Sequence, residues 1–198
     1  MIGARDRLLE HPAVYSAWQA PFAAKKFAPV ERWLRSHPIR RVLDVGCGAG
    51  TNARHFSGVD YVGVDVNERY LEVARARFSG RFVQADLTSA DLSSLGTFDM
   101  ILANSFLHHV TDRDAERILA QLSPLLTPDG TIHILDLVLP PNKSLAWAMA
   151  LLDRGAYARP VERWRSLFAA AFEPIAFEPY FYGGRLWSMV YFQGRKKS

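Results

Sequence analysis

Val42-Leu43-Asp44-Val45-Gly46-Cys47-Gly48-Ala49-Gly50-Thr51-Asn52 is the stretch that decides how this 198-residue chain folds. Three apolar residues and one carboxylate run into three glycines at alternate positions, and then into Thr and Asn. The pattern predicts a buried strand feeding a sharp turn that opens a helix. Glycine is needed where the chain turns with positive φ or where a ligand touches the backbone. Unpaired amides at a helix start suit a polar or anionic ligand group. A dinucleotide fingerprint would have its third glycine three positions after Gly48, where this chain has Thr51. Asp44, just before the first glycine, would repel a pyrophosphate but attract an ammonium or sulfonium.

Working outward, strand-like and helix-like patterns alternate. Arg41-Val42-Leu43-Asp44-Val45 is followed by strand runs at Tyr61–Val64, Arg81–Gln84, Phe98–Ala103 and Thr131–Leu135. Helical spacing of apolar residues marks Glu68–Phe78 and Asp112–Leu126, the latter closed by the turn Pro128-Asp129-Gly130. Such alternation predicts a parallel sheet covered by helices. After Pro140-Pro141 come two amphipathic helices, Ser144–Asp153 and Val161–Phe172. Two strands, Glu173–Tyr182 and Leu186–Phe192, then follow, joined by Gly183-Gly184 in a hairpin. The flank before residue 40 reads as one or two helices broken at Pro21 and Pro29.

Composition excludes several classes. At 49% hydrophobic, 12% aromatic and 22% charged residues the chain is globular, not disordered. One cysteine, Cys47, makes no internal disulfide and no zinc-type pair. The charged N-terminus is unlike a secretory signal, and the longest apolar run, Leu145–Leu152, is too short to span a membrane. A cytoplasmic protein without a membrane span is expected. The formal charge of +4 is unevenly spread. Residues 1–41 carry +5, residues 42–138 carry −6 and residues 139–198 carry +5. All five Trp lie in the two basic flanks.

The glycine stretch, as Asp44-x-Gly46-x-Gly48-x-Gly50, resembles the first motif of class I S-adenosylmethionine-dependent methyltransferases. The likeness continues in register. Asp65 ends the second strand and Asp86 the third. Asn104-Ser105-Phe106-Leu107-His108-His109-Val110 after the fourth is similar to the signature of the small-molecule, methyltransferase type 11-like branch. Leu126-Thr127-Pro128-Asp129-Gly130 matches the family's turn into the fifth strand. The resemblance covers roughly residues 40–138. It implies a Rossmann-like, seven-stranded, mostly parallel sheet with helices on both faces and an antiparallel last strand. A single domain over 1–198 is expected, with an N-terminal helical cap (1–40), a cofactor core (41–138) and substrate-side helices plus hairpin (139–198).

The cofactor it implies is S-adenosyl-L-methionine, leaving S-adenosyl-L-homocysteine as product. Gly46, Cys47, Gly48, Gly50 and Asn52 would form the loop around the methionine end, with Asp44 orienting it. Asp65 would accept both ribose hydroxyls, as two oxygens facing two donors. Val66 and Leu87 would sandwich the adenine and Asp86 would accept from its amine. Backbone carbonyls after the fourth strand, at Ala103 and Asn104, would receive the ammonium, with Ser105 also in the cofactor-binding set. The alternative reading of each carboxylate is a loop cap or a backbone-bonded strand residue.

His108 and His109 are the candidate catalytic bases, with loop orientation as the other role for His108. No Asn/Asp-Pro-Pro-Tyr sequence follows the fourth strand, which argues against amino-group nucleic-acid and glutamine methylation. No metal site is expected, although Asp136 leaves one open. Tyr15, Trp18, Trp147 and Tyr157 are candidate acceptor-binding residues, within a possible aromatic lid that adds Phe22, Trp164 and Tyr182. Basic residues around them, including Lys26, Arg159, Arg163 and Arg165, suggest an anionic or aromatic small molecule. A nucleic-acid methyltransferase and a non-catalytic regulator are the alternatives. The expected state is monomer or homodimer.

Overall fold

The computed structural model describes residues 25–153 and 156–197. Seven strands form one sheet: β1 (Arg41–Val45), β2 (Asp60–Asp65), β3 (Arg81–Gln84), β4 (Phe98–Asn104), β5 (Leu126–Leu137), β6 (Phe172–Tyr182) and β7 (Trp187–Lys196). Their spatial order is β3-β2-β1-β4-β5-β7-β6. β1 through β5 pair in parallel, whereas β7 runs antiparallel to both β5 and β6. Helices cover both faces: α1 (25–34), α2 (Glu68–Arg77), α3 (Asp112–Leu122), α4 (Leu145–Leu152) and α5 (Val161–Ala171). The expected sheet, with its antiparallel last strand, is therefore present.

Strand sequences explain the two faces, because successive side chains point to opposite sides. Leu43, Val45, Ile101, Ile132 and Ile134 pack against α3 and α5 through Ile118, Leu119, Leu122, Trp164 and Phe168. Val42, Met100, Leu102 and Leu135 pack on the other side with Phe27, Val30, Leu71 and Ala74 from α1 and α2. Each large apolar side chain so buried contributes roughly 1.5–3 kcal/mol. Strands apolar on both faces are what a helix-covered parallel sheet requires.

Several local expectations are corrected. The glycine turn opens only a five-residue 3-10 turn, Thr51–His55, and not an α-helix. Asn52 there turns its side chain back to Asp44, and Gly58, with φ at 77°, ends the segment before β2. The helix expected to reach Leu126 stops at Leu122, because Pro124 lacks the amide that the next turn needs; residues Ser123–Leu125 form a 3-10 turn instead. Pro29 sits inside α1 rather than breaking it. It forgoes one helical bond, while neighbouring Phe27 and Val30 bury fully in the core. Pro128-Asp129-Gly130 lies within β5 as a bulge: β4 pairs Phe98 with Leu126, and then Met100 with Thr131. Pro21 lies outside the described residues.

Candidate active site

Between β1 and β4 the chain reverses its direction of winding, and open parallel sheets bind ligands outside the strand ends at that point. The glycine loop leaves β1 there and is pinned to β2. The amides of Gly46 and Cys47 donate to the Val64 carbonyl (2.8 and 3.0 Å). Asp65 completes the clamp: Oδ2 accepts from the Gly48 amide (2.8 Å) and Oδ1 from the Asn67 amide (2.9 Å). Each oxygen keeps a lone pair for a further donor. Gly48 and Gly50 both have positive φ (53° and 72°), yet they differ in surroundings. A Cβ on Gly50 would lie 2.9 Å from Ala74, so this glycine is required by packing on α2. A Cβ on Gly48 would meet nothing within 4 Å. That side of the loop is open space.

Asp44 is fully buried on β1. The Tyr61 hydroxyl from β2 and the Asn52 side-chain amide (3.0 Å) both donate to its Oδ2. Asn104, at the end of β4, donates in turn to Asn52 Oδ1 (3.0 Å). Two buried oxygens at either end of this chain, Asp44 Oδ1 and Asn104 Oδ1, accept no hydrogen bond from the described residues. Burial pushes the Asp44 carboxyl up to about 7, against the lowering effect of the Tyr61 and Asn52 bonds and with a further push from Asp65. Orphaned acceptors in a protein interior are costly and call for a donor.

The remaining loop residues fall as follows. Ser105 adopts left-handed backbone (φ 55°) and its amide donates to the Leu135 carbonyl (2.8 Å), which lays Phe106 against Gly46. Cys47 is buried, and burial pushes its thiol far up, so it is no reactive nucleophile. Val66 is 63% exposed, unusual for an apolar side chain beside a cleft, whereas Leu87 is buried. Asp86 Oδ1 caps its own loop through the Thr88 hydroxyl (2.7 Å) and amide (2.9 Å).

His108 is not placed as a free base. Its ring is buried between two carboxylates: Nδ1–H donates to Asp136 Oδ1 (2.5 Å), and Nε2 lies 3.4 Å from Asp153 Oδ2. Asp136 is itself held by the Leu107 and Leu137 amides (2.8 and 2.7 Å). Burial alone would lower the imidazole; the charge and hydrogen bonds of Asp136, and then those of Asp153, raise it to about 9. It is therefore a cation at neutral pH, with no lone pair to offer. Lys26 of α1 is buried nearby, lowered by burial to about 8 against the pull of the same two carboxylates. His109 is exposed, its ring 4.2 Å from that of His108.

The lid and rim expectations change most. Trp164 is core, stacked on Phe168 and donating to the Leu137 carbonyl (2.9 Å). Tyr182 is buried against Trp187. Arg159 is buried and binds Asp112 together with the Leu107 and Val110 carbonyls, while Arg163 binds Asp112 and Glu116. These arginines neutralise the start of α3, and Arg165 pairs with Glu162, so none of the three forms a free cationic rim. Tyr157 is exposed, with its amide donating to the His108 carbonyl (3.0 Å), which sets it beside the end of β4. Trp147 is half-buried on α4. Tyr15, Trp18 and Phe22 lie outside the described residues. Sequence reading missed Tyr61 and Asp153, and it expected Lys26 on the rim, where the structure buries it; a buried Asp44 with a hydroxyl-bearing strand residue on the same face was the available signal for Tyr61.

A parallel sheet with a glycine loop at its switch point and an acidic residue ending the second strand defines the class I, Rossmann-like methyltransferase fold. Residues 42–130 match the family model described as a methyltransferase domain. An uncharacterized methyltransferase of Mycobacterium tuberculosis is 36% identical over 111 residues, 54% of this chain and 55% of that protein. The ubiquinone biosynthesis O-methyltransferase of Thiobacillus denitrificans is 35% identical over 111 residues, 51% and 47% of the two chains. The chain thus spans about half the length of the curated relatives it matches. In structure it is similar to the N-methyltransferase NodS of Bradyrhizobium japonicum, solved with S-adenosyl-L-homocysteine. That match has a TM-score of 0.71 at 14% identity, over 89% of this chain and 87% of NodS. Among the described residues, no helix is long and apolar enough to cross a membrane.

The ionic state of His108 sets a pH dependence of stability. Its folded value of about 9 stands above the ordinary 6.5, so its contribution is complete below pH 6.5 and disappears as pH rises through 9. Replacing His108 with Gln should cost on the order of 2–3 kcal/mol in urea unfolding at pH 6 and little at pH 9.5. Lys26 shares Asp136 and Asp153 with the imidazole, so the same comparison in a Lys26→Met background separates the two cations. A difference that does not change with pH would contradict the ion pair.

Proposed function

We propose that the chain is an S-adenosylmethionine-dependent methyltransferase acting on a small-molecule acceptor. The observation that carries this reading is the pair of unpartnered buried oxygens, Asp44 Oδ1 and Asn104 Oδ1, flanking a glycine loop with open space at Gly48. These acceptors suit a ligand with a cationic amino-acid end. Asp65 suits its ribose and the exposed Val66 its adenine, with Leu87 behind and the free oxygen of Asp86 toward the amine. When bound, S-adenosylmethionine supplies an activated methyl group that an acceptor lone pair displaces in line from sulfur, leaving S-adenosylhomocysteine.

The protein's own part is alignment and exclusion of water, an effect worth up to roughly 7–11 kcal/mol when reactants are held in attack geometry. His108, as a cation between Asp136 and Asp153, organises the end of β4 and does not take the acceptor's proton. The site therefore fits an acceptor that is nucleophilic without a strong base, such as an amine, a carboxylate or an acidic phenol. An oxygen acceptor is in keeping with the similarity to a ubiquinone biosynthesis O-methyltransferase. Tyr157, and Trp147 on α4, are the described residues we assign to the acceptor side.

Two experiments test the reading. Gly48→Ala, which adds a methyl group to the open side of the loop, should weaken S-adenosylhomocysteine binding at least ~10-fold for about 1 kcal/mol of backbone strain. Gly50→Ala should instead lower stability by roughly 2–4 kcal/mol through its contact with Ala74. Unchanged binding in Gly48→Ala would remove the ligand from this loop. Methyl-labelled S-adenosylmethionine with the protein and either a metabolite extract or RNA should label small molecules. Label in RNA alone would overturn the acceptor class, and binding without transfer would favour a regulator.

A further inference from the structure

Asp44 is an asymmetric carboxylate. Two donors from different elements, the Tyr61 hydroxyl on β2 and the Asn52 amide on the 3-10 turn, converge on Oδ2, while Oδ1 is buried and accepts nothing from the described residues. Tyr61 cannot relax away from this role. Its ring is wedged between Phe56 and Phe82, at centroid distances of 5.8 and 5.7 Å. Asn52 is likewise fixed by Asn104 at its other end. A carboxylate bonded on one oxygen only would ordinarily rotate to share its donors; here both donors are anchored, and the free oxygen stays free.

We propose that Tyr61 is a positioning residue for the cofactor: it fixes Asp44 so that the ionised carboxylate presents Oδ1 to the ammonium of the methionine moiety. The inference rests on the reading of the cleft given above and adds to it a residue and a pH gate. Burial and the neighbouring Asp65 favour the neutral acid, and the Tyr61 and Asn52 bonds favour the anion, which together put the change near pH 7. The other titratable neighbours, Tyr61 and Cys47, are pushed upward by burial and stay protonated through this range. No charged side chain faces Asp44 from β4, whose contribution is Asn104 through Asn52. An ammonium pairs with the anion and not with the acid, so binding tightens as pH rises.

Titration calorimetry with S-adenosylhomocysteine and with 5′-methylthioadenosine separates the possibilities. The second compound keeps the adenosine thioether and lacks the amino acid. Between pH 6 and 7.5, below the range where an α-amino group itself titrates, S-adenosylhomocysteine affinity should rise about eightfold and methylthioadenosine affinity should stay flat. Tyr61→Phe keeps the ring but removes one stabilising bond to the anion. Its midpoint should move up by about one unit, weakening S-adenosylhomocysteine about fivefold at pH 7 without affecting methylthioadenosine. Asp44→Asn should abolish the pH dependence. A flat profile for S-adenosylhomocysteine in the unaltered protein would overturn the proposal. So would an equal loss of both ligands in Tyr61→Phe, which is what a merely structural tyrosine would give. Failure of both ligands to bind the unaltered protein would instead refute the cofactor reading beneath it.

Discussion

The geometry of the cleft depends on one constraint: β1 and β4 are neighbours in the sheet, but the chain leaves them toward different partners. From β1 it passes through the glycine loop to β2, and from β4 through residues 105–111 to α3. Two loops that part company leave a crevice between them. Backbone groups at such a parting must be satisfied by something other than the sheet ladder. Asp65, Asp44 and Asp136 each stand at or near a strand end and do this work. Asp65 holds Gly48 and Asn67, and Asp136 holds Leu107 and Leu137. Asp44 differs because its donors are side chains and because one of its oxygens is left over. Part of the negative charge of residues 42–138 thus belongs to the strand ends, and part, at Asp112 and Glu116, to the pairs that hold α3.

The charge of the flanks has a different origin. Arg159 and Arg163 reach from the segment before α5 and from its first turn to Asp112 and Glu116, where they clamp α3 to the region after the fourth strand. Lys26 joins α1 to the same area, near Asp136 and Asp153. Basic flanks and acidic middle neutralise one another across the tertiary structure. Surface pairs of this kind contribute little each, but Arg159 is buried, and its loss would strand carbonyls as well as a carboxylate. The same contacts fix the region beside the cleft, so stability and site geometry share residues.

The parallel-sheet class, the strand positions and the glycine loop were legible in sequence because they depend on local signals: apolar strand runs, glycines at alternate positions and acidic residues at strand ends. The same signals single out Asp44 and Asp65, which the structure brings to the two strand ends beside the glycine loop. What was not legible depends on contacts between distant segments. The 3-10 turn after Gly50 is short because Asn52 is drawn to Asp44. His108 reads as a free base until Asp136 and Asp153 are seen on either side of it. Trp164 reads as a lid residue until α5 is seen to turn it into the core. Tyr61 is an ordinary strand residue in sequence; only the pairing of Asp44 with Gly63 across β1 and β2 brings its hydroxyl within reach of the carboxylate.

We propose that the switch-point cleft is built for a ligand with an adenosine end at Asp65 and a cationic end at Asp44. A crystal structure with S-adenosylhomocysteine is the decisive test. The ribose hydroxyls should lie on Asp65, the ligand backbone should cross above Gly48, and the ammonium should sit against Asp44 Oδ1 and Asn104 Oδ1. A ligand bound elsewhere on the sheet, or bound here with its ammonium in solvent and those two oxygens still unpartnered, would contradict it.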